Sequence, residues 1–480
     1  MKKQAILLAL AVAIFTTACK KSSVDDTDDT IIVAPVSSTV EVKTDITAST
    51  TWTADKIYLL KGIINVTSGA TLTIQPGTLI KGDKATKGTI VVNRGGKIQA
   101  VGAIDKPIVF TSNQAVGARA AGDWGGIVIL GKAPNNQGTN QGIEGIPTDA
   151  SGKASYGGTD PADNSGTLKY VRIEFAGVPL TPDNEINGLT LGSVGSGTTL
   201  DYIQVTRSGD DAFEFFGGTV NAKHILAIGT LDDDFDTDFG YSGKVQFALA
   251  QRYLTLADVS GSNGFESDND GSGSVKTPLT SAIFSNVTVI GPLSAANMSG
   301  FNANYQHAVQ IRRNSSISIL NSILTGYTEG IYIDDSKVAV AKATSANYLS
   351  GSLAFQNNLV FGTNSKSNEL KGENKADFET TLRAANTFTA ASYGDVLITS
   401  PYKYPADIIA SSSGKQGLPN FTAKTGSVAE TGALFTNSKV TDAFFDKVTY
   451  RGAFGSTDWT SGWANYDPQV LPYDAPGKVN

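Results

Sequence analysis

Cysteine and histidine are nearly absent from this sequence, which has one cysteine and two histidines among 480 residues. Since Cys19 has no second cysteine to pair with, an intramolecular disulfide is excluded. No HExxH motif, Cys/His cluster or nucleophile elbow is present, so zinc hydrolysis and Ser-His-Asp chemistry are not expected. The residues left for binding or acid–base chemistry are the carboxylates.

Positive charge and long apolar runs are also scarce. Charged residues make up 17% of the chain and the formal net charge is −7, which disfavours nucleic acid and anionic membrane surfaces as partners. No glycine-rich phosphate loop precedes a predicted helix, so nucleotide binding is not expected. The apolar stretch Ala5–Phe15 is too short to span a bilayer.

The N-terminal residues have the features of a secretory signal: two lysines, the apolar stretch Ala5–Phe15 and a small-residue end. Cys19 follows directly, so residues 1–18 look like a lipoprotein signal peptide, with Cys19 as the lipidation site that anchors the chain in a membrane. Thr16 replaces the leucine usual in a lipobox, and an ordinary signal peptide with an incidental cysteine is the alternative. The charged and polar run that follows predicts a flexible acidic tether over residues 19–38.

From residue 39 onward, short runs of β-branched residues recur, each closed by glycine, proline or asparagine. Examples are residues 70–74, 89–92 and 107–111. Strands of this length, punctuated by turn residues, predict an all-β chain. Because the pattern continues without clear linkers, we expect a single parallel β-solenoid domain over residues 39–480.

One acidic phrase occurs three times, at residues 210–217, 233–240 and 263–271. Side chains alternate between the two faces of a strand, so stacked coils would place three phenylalanines inward and three carboxylates outward. The inward residues are Phe213, Phe235 and Phe265, and the outward residues are Glu214, Asp236 and Glu266. Like charges on neighbouring strands repel, so such a ladder requires bound cations or interleaved basic residues.

Calcium is the cation that fits this composition, because it takes six to eight oxygen ligands in irregular geometry. The spacing of the acidic residues does not match an EF-hand, so a site of another type is expected. The candidate metal ligands are Glu214, Asp234, Asp236, Asp238, Glu266, Asp268 and Asp270.

Two further interpretations use the same acidic residues. Asp211 with Asp233 or Asp234 could act as acid and base in glycoside hydrolysis. In a polysaccharide lyase, bound calcium would acidify a uronate proton while Arg207 or Lys223 acts as the base. Besides calcium binding and catalysis, a structural interpretation is open, in which the acidic residues form turns and a solvated face.

Other segments interrupt or decorate the solenoid. Residues 135–163 are rich in glycine, asparagine and serine, and they predict a loop insertion on the binding face. The apolar spacing in residues 371–388 predicts one short helix. The aromatic-rich residues 440–480 predict a cap over the open end of the solenoid, and asparagines recurring at one position of each coil predict a hydrogen-bonded corner ladder. Trp124 and Tyr156 are candidates for stacking on a sugar ring.

Long motifs in this chain resemble a family of Bacteroidota-type surface lipoproteins. They lie at residues 122–126, 210–224, 232–240, 263–270, 450–455 and 458–463. The resemblance implies a right-handed, pectin-lyase-like parallel β-helix on the cell surface or outer membrane. The acidic run after Cys19 resembles the signal that exports such lipoproteins to the outer face of the outer membrane, and anchoring that faces the periplasm is the alternative. Some members of the family accompany TonB-dependent uptake systems, which implies a transporter partner and a polysaccharide or small-solute ligand. The family offers no activity that can be carried over to particular residues.

Overall fold

The computed structural model of this protein describes residues 39–149, 153–181, 184–409 and 414–480. The predicted signal peptide over residues 1–18, the tether over 19–38 and Cys19 lie outside the described residues. The described residues belong to one unit of the chain, Ser37–Asn480. Neither of the helices among them has the length and apolar character needed to span a bilayer.

Two parallel sheets run along the solenoid, and the smaller one, here called the site sheet, has ten strands. Its strands are Ile63–Val66, Thr89–Val92, Gly126–Leu130, Leu189–Gly192, Phe213–Phe216, Phe235–Asp238, Phe265–Ser267, His307–Ile311, Glu329–Ile333 and Leu370–Lys371. The strands of the larger sheet are Thr39–Val42, Thr50–Trp52, Ile57–Leu60, Thr71–Ile74, Leu79–Gly82, Lys97–Val101, Ile108–Ser112, Gly166–Glu174, Thr199–Thr206, Asn221–Ile228, Lys244–Gln251, Ile283–Ile290, Ser318–Leu320, Ile323–Thr325, Phe355–Gln356, Leu359–Phe361 and Thr387–Thr389. The parallel pairing between successive coils confirms the all-β, right-handed parallel β-helix predicted from the sequence.

The shorter elements decorate this solenoid. The described part of the chain contains four further strand pairs: Gln141–Gly142 with Ser155–Tyr156, Pro179–Thr181 with Asn184–Glu185, Ile398–Ser400 with Asn420–Ala423, and Lys403–Tyr404 with Lys415–Gln416. Its short 3₁₀ turns are Lys366–Asn368, Gly394–Val396, Ser438–Val440 and Pro468–Val470.

The acidic repeats stack in the predicted register. Phe213 pairs with Phe235, which pairs with Phe265, and all three side chains are buried in the main core. Their ring centroids lie 5.9 and 5.1 Å apart. Glu214, Asp236 and Glu266 pair in the same order on the opposite face, and we call this row the carboxylate ladder.

A second column of residues marks the bend inside the long strands of the larger sheet. Tyr170, Tyr202, His224 and Phe247 stack there in consecutive coils, each with a positive φ between 50° and 62°. In later coils this position is Asn286, Asn321 and Asn357, and asparagine adopts the left-handed conformation more readily than most residues. Asn357 donates a hydrogen bond to Asn321 at 2.6 Å, as the predicted corner ladder requires, whereas the amide of Asn286 donates to the Tyr450 carbonyl at 2.9 Å.

The C-terminal segment packs along the flank of the solenoid. Trp459 and Trp463 lie edge-on to Tyr202, with ring centroids 6.2 and 5.8 Å away. Further on, Tyr473 and Val479 pack against strands of early coils. The expectation that residues 440–480 cap an open end is therefore wrong. Their aromatic side chains instead cover the outward column of rings, which would otherwise face water.

The helical content differs from the prediction in one respect. The helix expected within residues 371–388 is present as Lys375–Ala384, and it buries Phe378 and Leu382. A second helix, Ala343–Ser350, was not predicted. Its sequence has small, polar residues and little apolar periodicity, so its formation depends on the surrounding fold rather than on an amphipathic pattern.

Candidate functional site

An acidic cleft lies on the outward face of the site sheet, over the three acidic repeats. It consists of two adjoining cavities of about 510 and 470 Å³ that share Glu144 and Glu214 in their walls. The larger cavity is lined by carboxylates from consecutive coils: Asp210, Asp211, Asp232, Asp233, Asp236 and Glu266. The smaller cavity adds Asp238 and Tyr156.

Two groups of three carboxylates in this cleft bring their oxygen atoms close enough together to hold a metal ion. One is Asp210, Asp211 and Asp232, and the other is Asp211, Glu214 and Asp236. Within each group one oxygen atom from every residue lies within 4.8 Å of the others. These all-oxygen groups could bind a hard cation, and Asp211 belongs to both.

A ladder of side-chain oxygens runs beside these groups and fixes their backbone. Asn187 Oδ1 accepts the Asp211 N–H at 3.2 Å, and Asp211 Oδ1 accepts the Asp233 N–H at 2.7 Å. Asp233 Oδ1 accepts the Asn263 N–H, and Asn263 Oδ1 accepts the His307 N–H at 3.1 Å. One oxygen of Asp211 and one of Asp233 are thus structural, because each satisfies a buried backbone donor.

The cleft is electrostatically unbalanced. Burial, and then the neighbouring carboxylates, raise the pKa values of Asp211, Glu214 and Asp236 well above their ordinary range. Burial also raises the pKa of Glu266 to about 7, although Arg312 opposes this effect. Arg312 is the one lysine or arginine lining the described part of the cleft, and its guanidinium contacts Glu266 and Asp268.

Several carboxylate oxygens in the cleft lack a partner. Asp232 Oδ1 and Asp236 Oδ1 are buried and accept no hydrogen bond. Glu214 is 7% exposed, and only one of its oxygens accepts a hydrogen bond from a described residue, the side-chain amide of Asn187. Unpaired buried anions are costly, so the donor set of this cleft fits a bound cation.

Three predicted metal ligands are engaged elsewhere. Asp234 is fully buried and paired with Arg252 at 2.9 Å, on the core side of the chain. Asp268 lies between Arg312 and Arg313, at 2.7 and 2.5 Å. Burial raises the pKa of Asp270, but hydrogen bonds from Ser274 and Ser272 outweigh this effect and lower the pKa to about 2. These residues are therefore removed from the predicted ligand set.

The two predicted bases are not in the cleft. Arg207 forms a two-point ion pair with Asp407 at 2.7 and 3.0 Å. Lys223 pairs with Asp446 at 2.8 Å, in the C-terminal segment on the flank. The predicted juxtaposition of either residue with the carboxylate ladder is therefore wrong, whereas Asp211 and Asp233 do share the cleft.

The two aromatic candidates have different positions. Trp124 is fully buried, and its Nε1 donates a hydrogen bond to the Glu174 carbonyl at 2.8 Å. It therefore has no free face for a sugar, contrary to the prediction. Tyr156 is 1% exposed but lines the smaller cavity beside Glu214 and Asp238.

Glu144 and Arg312 belong to the site but were not predicted. Glu144 lies in the insertion, whose sequence marks it as a loop on the binding face without singling out one residue. Arg312 follows a strand two coils beyond the central acidic repeat, and only the stacking of coils brings it beside Glu266.

Residues 44–397 match the family described as the pectate-lyase like beta helix domain. The chain belongs to this family, because the match covers most of the described solenoid. No curated protein matches the sequence.

Three solved structures show a distant similarity to this chain. Pectate lyase Pel9A is 12% identical, with 84% of this chain and 88% of that chain covered and a TM-score of 0.37. The Dettilon tailspike protein is 9% identical, with coverages of 70% and 63% and a TM-score of 0.22. The surface adhesin PfbA of Streptococcus pneumoniae is 13% identical, with coverages of 68% and 83% and a TM-score of 0.21.

Proposed function

We propose that this protein is a surface lipoprotein that binds Ca²⁺ in the acidic cleft and, through the cation, an acidic polysaccharide. The observation that carries the proposal is the pair of carboxylate groups meeting at Asp211, with buried oxygens that accept no hydrogen bond. The purely structural interpretation expects every carboxylate to be paired and no cleft to form. The geometry of the cleft favours binding over that interpretation.

Calcium is preferred over other cations on the chemistry of the donors. The described residues that line the cleft offer carboxylate oxygens and no imidazole or thiolate, which disfavours zinc and copper. Magnesium demands near-octahedral geometry at short distances, whereas calcium accepts six to eight oxygens in irregular arrangements. The carboxylates of this cleft come from separate coils, so they supply the irregular arrangement of oxygens that calcium accepts.

An acidic polysaccharide is the ligand class that a cation in this cleft would select. Without a cation, the carboxylates repel any anionic ligand. A bound Ca²⁺ that keeps open coordination positions would instead attract a uronate carboxylate at the cleft mouth. The polymer would then lie along the site sheet, where successive coils repeat about every 4.8 Å.

A calorimetric titration tests the proposal. The chain beginning at Lys20 is titrated with CaCl₂, beside Asp236→Asn and the exposed control Asp377→Asn on the second helix. We expect saturable binding that Asp236→Asn weakens at least tenfold and Asp377→Asn leaves unchanged. Acidic and neutral polysaccharides are then compared in calcium and in chelator. Absence of calcium binding by the unsubstituted chain would refute the proposal and leave a structural or adhesive role.

The cellular location is part of the proposal and depends on the N-terminal motifs. We propose that Cys19 carries a lipid, that the acidic tether directs the protein to the outer face of the outer membrane, and that a TonB-dependent transporter is its partner. Substitution Cys19→Ser should release the protein from the membrane fraction. Protection of the unsubstituted protein from protease added to whole cells would contradict the outward orientation.

A polysaccharide lyase or hydrolase is the second candidate, favoured by one observation. Arg312 lines the same cleft as the carboxylates, which is the arrangement that a lyase needs for its base. However, Arg312 contacts both Glu266 and Asp268. Burial lowers the pKa of Arg312, but these two carboxylates outweigh burial and raise that pKa above its ordinary value. A raised pKa disfavours the deprotonated form that a base needs. Formation of unsaturated uronate products with calcium, abolished in Arg312→Ala, would replace the binding proposal with catalysis.

A further inference from the structure

A small cavity of about 210 Å³, here called the basic pocket, adjoins the acidic cleft on the side of the later coils. It is lined by Gln310, Arg312, Arg313, Asp334, Ser336 and Lys337. Arg312 also lines the larger cavity of the cleft, so the two sites share one wall. The carboxylate ladder ends at this boundary, because Glu266 pairs with Gln310 in the next coil. The sign of the charge along the site sheet therefore changes from one coil to the next.

The two arginines of the basic pocket have donors left for an anion. Arg312 donates hydrogen bonds to Asp268 and Glu266, and its Nη1 has no acceptor among the described residues. Arg313 donates from Nη1 to Asp268 at 2.5 Å, whereas its Nη2 has no described acceptor and its buried Nε forms no hydrogen bond. A buried donor without an acceptor is costly, so Arg313 independently indicates that an acceptor is missing here.

Lys337 adds a third positive charge to the basic pocket. Its side chain is exposed, and its ammonium group forms no ion pair with a described residue. The backbone beside it is fixed, because the Ala339 N–H donates a hydrogen bond to the Gly273 carbonyl at 2.9 Å. Gly273 has a φ of +62°, and a Cβ placed there would lie 2.2 Å from the Lys337 carbonyl oxygen, so glycine permits this close approach.

The carboxylates around the basic pocket are already engaged. Asp334 is the one carboxylate lining its described part, and its two oxygens accept hydrogen bonds from Gln310 Nε2 and the Ser336 N–H, at 3.0 and 2.7 Å. Asp268 and Glu266 neutralise part of the arginine charge from outside the pocket. An anion entering the pocket would therefore meet unused N–H donors, whereas in the acidic cleft it would meet carboxylates.

We propose that the basic pocket binds a second carboxylate of the acidic polysaccharide whose first carboxylate is held by the cation in the cleft. This inference rests on the proposed function, and it assigns the polymer a path from the cation across Arg312 toward the later coils. A uronate polymer carries a carboxylate on every sugar, so one chain can occupy both sites. Because the second contact is then intramolecular, it strengthens the binding of an oligomer and leaves a single uronate unaffected.

Two probes separate the basic pocket from the cation site. Galacturonate, which has a single carboxylate, and its tetramer are each titrated in CaCl₂ into the chain beginning at Lys20. The variants are Lys337→Gln, Lys337→Glu and the matched control Lys415→Gln, which replaces an exposed lysine of the C-terminal segment. We expect Lys337→Gln to weaken tetramer binding about tenfold, since one charged hydrogen bond is lost. Lys337→Glu should weaken it further, because the new carboxylate repels the ligand.

The affinities for Ca²⁺ and for galacturonate should be the same in all four proteins. Because Lys337 is exposed, its substitution should also leave Tm unchanged, so a selective loss of tetramer binding identifies its charge as the cause. If both Lys337 variants bind the tetramer as the unsubstituted chain does, the basic pocket is not a subsite and the proposed function stands. Equal losses for galacturonate and the tetramer would also overturn the inference. Absence of calcium binding by the unsubstituted chain would overturn both proposals.

Discussion

Asp236→Asn is predicted to change the stability of this protein in opposite directions with and without calcium. Asp236 lies at the centre of the carboxylate ladder, between Glu214 and Glu266 on the neighbouring strands. Without a cation, removing its charge relieves repulsion and stabilises the fold. With calcium, the same change removes a ligand and with it the stabilisation that binding supplies.

The two effects have similar sizes. Two like charges about 5 Å apart at an effective dielectric constant of about 20 repel by roughly 3 kcal/mol, and partial protonation reduces this value. Calcium at 100 times its dissociation constant stabilises the folded chain by about 2.7 kcal/mol. With an unfolding entropy of about 2.1 cal/mol/K per residue over the roughly 440 residues of the unit, each effect corresponds to about 3 °C in Tm.

Thermal unfolding in chelator and in calcium, on the unsubstituted chain and on Asp236→Asn, measures both effects. We expect the substituted chain to melt higher in chelator and to lose most of the calcium-dependent increase. Asp377→Asn, which affects only an exposed ion pair with Lys342, should follow the unsubstituted chain in both buffers. An equal change in Tm for Asp236→Asn in both buffers would refute the reasoning, because the residue would then act only through packing.

Three further predictions follow from the same structure. Burial raises the folded-state pKa values of Asp232 to about 6 and of Glu266 to about 7, above their unfolded values, so the contribution of these groups to stability is complete below about pH 4. The free energy of unfolding in chelator should therefore fall as the pH rises from 4 to 7, as measured by urea titration, and a rise would contradict the assigned burial. Arg252→Met should destabilise the fold by about 3–5 kcal/mol, since it leaves the buried carboxylate of Asp234 unpaired, and restoration by Asp234→Asn in the double variant would identify the ion pair as the cause. Trp463→Ala should cost about 3–5 kcal/mol in urea titration while calcium affinity is retained, because this residue lies on the flank and not in the cleft.

The repeated sequence made the core of the site predictable. Alternation within a strand assigned Phe213 and Phe235 to the interior and Glu214 and Asp236 to the exterior. Equivalent positions of stacked coils must pair, because a shift of one residue would bury the carboxylates and expose the rings. For this reason an alignment of three phrases was sufficient to give the register.

Residues outside the strands of the repeat were not predictable from the same pattern. Asp234 immediately precedes the strand, where alternation no longer fixes the direction of a side chain, and its partner Arg252 follows a strand of the larger sheet. The position of the C-terminal segment depends on Tyr170 and Tyr202, whose positive φ turns their rings outward onto the flank. The aromatic-rich composition of residues 440–480 indicated that this segment would cover apolar surface, but it contained no signal for which surface.

The structural and metal-binding interpretations of the acidic repeats are not exclusive. A carboxylate has two oxygens, and the ladder through Asp211 and Asp233 uses one oxygen of each residue to accept a backbone N–H from the next coil. For Asp211 this bond fixes the side chain and leaves its second oxygen available to the cleft, whereas the second oxygen of Asp233 accepts a hydrogen bond from the Asn263 side chain at 3.5 Å. The turn-forming property of aspartate thus positions ligands for a cation without requiring the cation for folding. Asparagine at position 211 should therefore preserve the backbone hydrogen bond, relieve repulsion in chelator and weaken calcium binding, whereas alanine should also lose the hydrogen bond and so be less stable than asparagine in chelator.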